Sequence, residues 1–242
     1  MRRPERFDVL DLLRRVRASP LGDQLILAGS SGLYGVSENI PALTEDIDVL
    51  IDADWVGAHE VQLLEDLTRL GLEHYPGTST FLMPDGLSLD LVGYSRQDSV
   101  DRIGGGKTVP VMVFSDLSIV LAASETTLEL PTQGRALTSA ALTVVKLMTI
   151  RLEKGSKDKL QALLLLDENA GTPGFLEDLR RLLALFDRDR VEDALGDAQV
   201  ACLAVTTDVV RAGDSEGGYA EMGQAVHRGL DLLKRLVEPE NL

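Results

Sequence analysis

The spacing of apolar positions changes character near residue 135. Before it, short apolar runs alternate with turns. Residues 24–28 (QLILA) and 45–52 (EDIDVLID) have the length and branched composition of strands. In the second, Ile47, Val49 and Ile51 fall on one face and Asp46, Asp48 and Asp52 on the other, because successive strand side chains point to opposite sides. Residues 60–70 carry a helical period that ends at Gly71, a predicted C-cap. The runs 78–83 and 87–92 flank Pro84-Asp85-Gly86 and predict a hairpin, with Leu87, Leu89 and Leu91 on one face and Asp90 on the other. Residues 109–114 predict one more strand, and Leu128-Glu-Leu-Pro131 closes the β-rich part. From Leu137 onward a helical period dominates, broken at Gly155-Ser156, Gly171-Thr-Pro-Gly174 and 213–218, which predicts four or five helices. The N-terminal stretch predicts an amphipathic helix with Val9, Leu12, Leu13 and Val16 on its apolar side. The expected class is α+β: a mixed sheet with flanking helices over residues 1–135, then an all-helical domain over 136–242.

Charge narrows the partners. The formal net charge is −15, whereas a non-specific nucleic-acid binder draws its affinity from a net basic surface. The single cysteine, Cys202, excludes an internal disulfide and a multi-cysteine zinc site, and His59, His74 and His227 show no ligand spacing. No apolar run reaches the roughly 18 residues of a membrane span; the longest, 136–150, is interrupted by Lys146. The N-terminus lacks the apolar segment of a signal peptide. A cytoplasmic protein without membrane contact is the expectation.

The strands carry the candidate chemistry. Asp46 and Asp48 project from one strand face and Asp90 from a later strand, a set of oxygen ligands suited to a hard divalent cation such as Mg²⁺ or Mn²⁺. Gly29-Ser30 ends the first strand, where backbone N–H groups and a hydroxyl suit a phosphate. Lys146 is the one charge in an apolar helix, sharing its face with Leu142, Thr143, Thr149 and Ile150. It needs either an anionic partner or a route for its ammonium to reach water. The run Ile103-Gly-Gly-Gly-Lys107-Thr108 is no P-loop: position 101 is Asp instead of Gly, and a strand is predicted to follow. A hairpin tip is the better reading.

The order LILAGS (25–30), DIDVLI (46–51) and LSLDLV (87–92) resembles the nucleotidyltransferase superfamily typified by DNA polymerase beta. Downstream, Lys146-Leu147, Arg151 and Lys157-Asp158 resemble the corresponding block of abortive-infection-type toxin nucleotidyltransferases, with Gln161 where a further Asp often stands. The resemblance spans roughly residues 25–167. It implies a nucleotidyltransferase-type sheet, transfer of a nucleoside monophosphate from an NTP to a hydroxyl, and Mg²⁺ or Mn²⁺ held by Asp46, Asp48 and Asp90. It further implies Asp90 as shared ligand or general base, Gly29 and Ser30 on the β- and γ-phosphates, and Lys146 and Arg151 on the nucleotide. The toxin branch points to an RNA acceptor such as tRNA and to a cognate antitoxin as partner. The densest basic stretches, Arg2, Arg3, Arg6, Arg14, Arg15 and Arg17 with Lys154, Lys157 and Lys159, would then form a phosphate-tracking rim. Two alternatives stay open: a nucleotide- or partner-binding module with little turnover, and a transferase acting on a small molecule of the antibiotic kind.

Overall fold

The computed structural model describes residues 5–40, 44, 46–130, 134–149, 155–212 and 217–238. The chain divides into two compact units, Met1–Thr138 and Ser139–Leu242.

The first unit is α+β. It contains α1 (Arg6–Arg17), β1 (Ile26–Leu27), α2 (Leu33–Val36), β2 (Ile47–Asp52), α3 (Ala53–Arg69), β3 (Glu73–His74), β4 (Thr80–Leu82), β5 (Ser88–Tyr94), β6 (Arg102–Gly105), β7 (Pro110–Val113), α4 (Ser115–Ala122), β8 (Thr127–Leu130) and β9 (Gly134–Leu137). The nine strands form one mixed sheet in the order β3-β4-β5-β2-β1-β9-β8, with β7 joined to the far end of β5 and β6 paired to β7. The pairs β2/β5, β1/β9 and β5/β7 are parallel; the remaining pairs are antiparallel.

Strand alternation divides the two faces of this sheet. Leu27, Ile47, Val49, Ile51, Leu89, Leu91, Val111 and Val113 share one core with Val9, Leu12, Leu13 and Val16 of α1 and Val56, Leu63 and Leu67 of α3. Both helices therefore cover the apolar face. Asp48 and Asp90, one position out of phase, project from the other.

Helix α3 begins earlier than its periodicity suggests. The Asp52 side chain accepts from Asp54 N (3.0 Å) and caps a first segment. At His59 the backbone leaves helical geometry (φ −129°, ψ 26°), and the regular apolar spacing resumes only beyond this kink. The expected stop is present: Gly71 adopts φ +82° directly after the C-cap Leu70, a left-handed conformation that glycine takes without Cβ strain.

The 103–108 segment is the tip of the β6/β7 hairpin. Glu60 of α3 accepts from Thr108 N (2.6 Å) and Val109 N (2.7 Å). These backbone donors, Val109 foremost, hold the Glu60 carboxyl below its ordinary range. A carboxylate from the protein itself thus occupies two backbone donors just after the glycines, and strand β7 follows where a P-loop needs a helix.

The β-rich unit extends past Leu128-Glu-Leu-Pro131, because β9 adds a strand between β1 and β8. Its Ala136-Leu137 continues without interruption into the apolar helix that follows, so apolar spacing alone ends the unit at 135 and tertiary pairing ends it at Thr138. Strands β3 and β6 and helix α4 are also additions to the sequence reading. Two-residue and glycine-bearing strands carry too few alternating positions to register.

The second unit comprises α5 (Ser139–Met148), α6 (Gly155–Asn169), α7 (Phe175–Leu183), α8 (Arg188–Ala212) and α9 (Gly217–Val237), five helices among the described residues. In α5, residues 140–148 are all buried. The buried Lys159 of α6 donates to Leu147 O and Thr149 O (3.2 Å), satisfying carbonyls at the end of α5 that have no partner within their own helix. Arg228 of α9 makes a two-point ion pair with Asp167 of α6 (both 2.7 Å). Among the described residues no helix is long and apolar enough to cross a membrane.

Candidate functional site

Parallel pairing of β2 with β5 sets Asp48 opposite Asp90. Asp46 stands one residue before β2 begins, where Thr44 fixes it: the Thr44 hydroxyl lies 2.8 Å from both Asp46 O and Asp46 Oδ1. The outcome is a cluster in which Asp46, Asp48 and Asp90 each bring a carboxylate oxygen within 4.8 Å of the others, all three half-buried. Like charges this close repel. A hard divalent ion accepting about six oxygen ligands fits this donor set, being small enough to be reached by all three carboxylates.

The Gly-Ser-Ser-Gly turn is built against this cluster. Gly29 has φ +58°, and a Cβ placed there would lie 1.9 Å from Asp48 Oδ2. Glycine is required twice over, by conformation and by the approach of the carboxylate. Ser31 ties the turn to β2. Its hydroxyl accepts from Asp48 N (3.0 Å) and lies within donating distance of Ala28 O (2.9 Å) and Asp48 O (3.2 Å). Ser30, singled out from the sequence, is buried beside it. Ser31 was missed because the Gly-Ser pattern draws attention to the first serine. Only the antiparallel β1/β2 pairing brings the second under Asp48.

Gly29→Ala should therefore displace the Asp48 carboxylate. We expect Mg²⁺ affinity, read by titration calorimetry, to fall about 10–100-fold, the range for loss of a group that orients a metal ligand. Gly77→Ala is the control, since Gly77 has φ +76° with nothing within 4 Å of a new Cβ. It carries the backbone penalty without the clash and should leave Mg²⁺ affinity unchanged.

Lys146 lies in the helical unit and is 2% exposed. Its ammonium donates to Asp158 Oδ1 (2.8 Å) and Gln161 Oε1 (2.8 Å). The snorkelling alternative is thereby excluded, because the head does not reach water. Asp158 supplies the counter-charge, and Gln161, at the position where a carboxylate often stands in the resembling family, accepts as a neutral amide. Arg151 lies outside the described residues.

The expected basic rim takes a different form. Helix α1 lies on the apolar face of the sheet, opposite the carboxylates, and its arginines are engaged locally. Arg6 donates to Ser37 O (3.0 Å), Arg14 pairs with Asp11, Arg15 donates to Leu70 O, and Arg17 pairs with Asp23 (3.1 Å) and Glu129 (3.3 Å). Lys159 is consumed in capping α5, while Arg2, Arg3 and Lys154 lie outside the described residues. Apolar periodicity sent α1 to the core side, and its polar side followed.

Comparison with known proteins adds no family: no protein-family model matches the chain, and no curated protein matches it.

Proposed function

We propose that the first unit is a metal-dependent nucleotidyltransferase that moves a nucleoside monophosphate from an NTP to an acceptor hydroxyl. The observation that carries this reading is the register of β2 with β5, which gathers Asp46, Asp48 and Asp90 within 4.8 Å beside a glycine turn that admits no side chain. When bound, Mg²⁺ or Mn²⁺ would supply charge neutralisation at the reacting phosphoryl group. The protein's own part is positioning. Asp46 and Asp48 would hold the metal, Thr44 fixing the first and Ser31 the second. Gly29 and Ser30 would border the phosphates. Asp90 would take the proton of the acceptor hydroxyl as its oxygen bonds to the α-phosphorus, while the bond to the β-phosphate oxygen breaks and pyrophosphate leaves. A role for Lys146 and Arg151 on the triphosphate rests on the resemblance, as does the nucleotidyltransferase-type description of the sheet.

The test is pyrophosphate release from each of the four NTPs with Mg²⁺, with label followed from the α-phosphate into product. Asp90→Asn is expected to lower turnover about 10²–10⁴-fold, the usual contribution of a positioned general base. The melting shift caused by Mg²⁺ with NTP should persist, because Asp46 and Asp48 remain. Turnover at the wild-type rate in Asp90→Asn would reduce Asp90 to a solvated strand residue.

A further inference from the structure

The carboxylate-bearing face of the sheet is closed on one side and open on the other, and this deepens the transferase reading on which it rests. Toward β1, the residues that share the face are Leu50 and Ile26, 1% and 2% exposed. Toward β7 and β6 the same face is open. Gly93 pairs with Val113 in parallel, so Met112 falls beside Val92, on the side that bears Asp90. Ile103 is the antiparallel partner of Met112 and shares its face. Met112 is 46% exposed and Ile103 71%. From strand rise and spacing, Met112 lies about 8 Å and Ile103 about 12 Å from Asp90. Val92, Met112 and Ile103 thus form an apolar strip leading away from the proposed general base.

The charge around the strip is unfavourable to a polyanion. Residues 1–138 hold 21 acidic against 11 basic side chains, a net −10. The neighbouring positions on this face include Thr80, opposite Asp90, Leu82, opposite the buried Ser88, and the buried Tyr94, two residues beyond Val92. Arg96, at the far end, is paired with Asp52 (3.5 Å). The proposed phosphate turn at Gly29 lies beside Asp48, on the β1 side of the cluster, so the body of an acceptor held at Asp90 extends the opposite way, over the strip.

We propose that Val92, Met112 and Ile103 form the acceptor subsite, and that the acceptor is a small molecule with its hydroxyl at one end of an uncharged apolar body. Its length from hydroxyl to far end matches the 8–12 Å between Asp90 and the strip estimated above. Association would draw on apolar contact, with no phosphate tracking.

The experiment offers the whole protein, with α-labelled NTPs and Mg²⁺, two acceptor pools from one cell extract: total RNA, and a filtrate of small molecules. Label is expected in the filtrate. At sub-saturating filtrate, Met112→Gln and Ile103→Gln should each lower that transfer about tenfold, and Met112→Leu should retain it. The melting shift with Mg²⁺ and NTP should be the same in all three variants and the wild type. Label in RNA overturns the proposal, as does filtrate transfer indifferent to both Gln variants. A reduced NTP shift in the Gln variants would assign the strip to the nucleobase and overturn it equally. No label in either pool with the NTP shift intact counts against the acceptor proposal; loss of that shift from the wild type sinks the transferase reading beneath it.

Discussion

Asp48→Ala should abolish both the response to metal and the chemistry. On the proposed function, Mg²⁺ with NTP at about 100 times its dissociation constant should contribute roughly 2.7 kcal/mol to the wild type through linkage to the folded state. For a chain of this size that corresponds to a rise in melting temperature of about 5–10 °C. Asp48 stands at the centre of the cluster, in register with Asp90 and in contact range of Gly29. Its removal takes away a proposed metal ligand and leaves the backbone pairing of β2 intact. The melting shift should vanish while far-ultraviolet circular dichroism stays unchanged. Turnover should fall by about 10³-fold or more, since loss of several kcal/mol of charge stabilisation at the phosphoryl group is worth about a decade per 1.4 kcal/mol. Equal shifts in Asp48→Ala and wild type would remove the metal assignment, and with it the proposed function.

The second large effect is in the helical unit and concerns stability. The buried Lys146 pairs with the half-buried Asp158, their side chains 3% and 14% exposed, and Gln161 Oε1 also accepts from the ammonium. Lys146→Met should cost about 3–5 kcal/mol, mainly because Asp158 is left without its counter-charge in a low-dielectric site. The double substitution Lys146→Met/Asp158→Leu should recover most of the loss, since an apolar pair of similar volume avoids the desolvation of two charges. Denaturant unfolding of the wild type, both single variants and the double variant gives the coupling directly. A double variant no more stable than Lys146→Met would show that the lysine is held by packing of its stem instead of by charge. Adding the Mg²⁺ and NTP melting shift to the same four proteins tests the nucleotide role. A double variant restored in stability yet deficient in the shift would give Lys146 that second task.

The local pattern was legible from the residues alone. Alternation in 46–52 and 87–92 placed Ile47, Val49, Ile51, Leu89 and Leu91 on one face and Asp48 and Asp90 on the other, since side-chain direction in a strand follows from backbone geometry alone. The α1 apolar stripe, the Gly71 stop, the hairpin at Pro84-Asp85-Gly86 and the helical character of the second half were legible for the same reason. Each depends on residues a few positions apart. Features that depend on partners distant in the chain came from packing. Parallel pairing brought Asp48 beside Asp90 across more than forty residues. The β1/β2 contact set the Ser31 hydroxyl against Asp48 N, a tie the Gly-Ser pattern does not show. Burial gave Lys146 to Asp158 and Gln161, and the core turned the α1 arginines away from the carboxylates. Periodicity specifies which side of an element is apolar, but the neighbour that side meets is chosen by register and packing among all the elements at once.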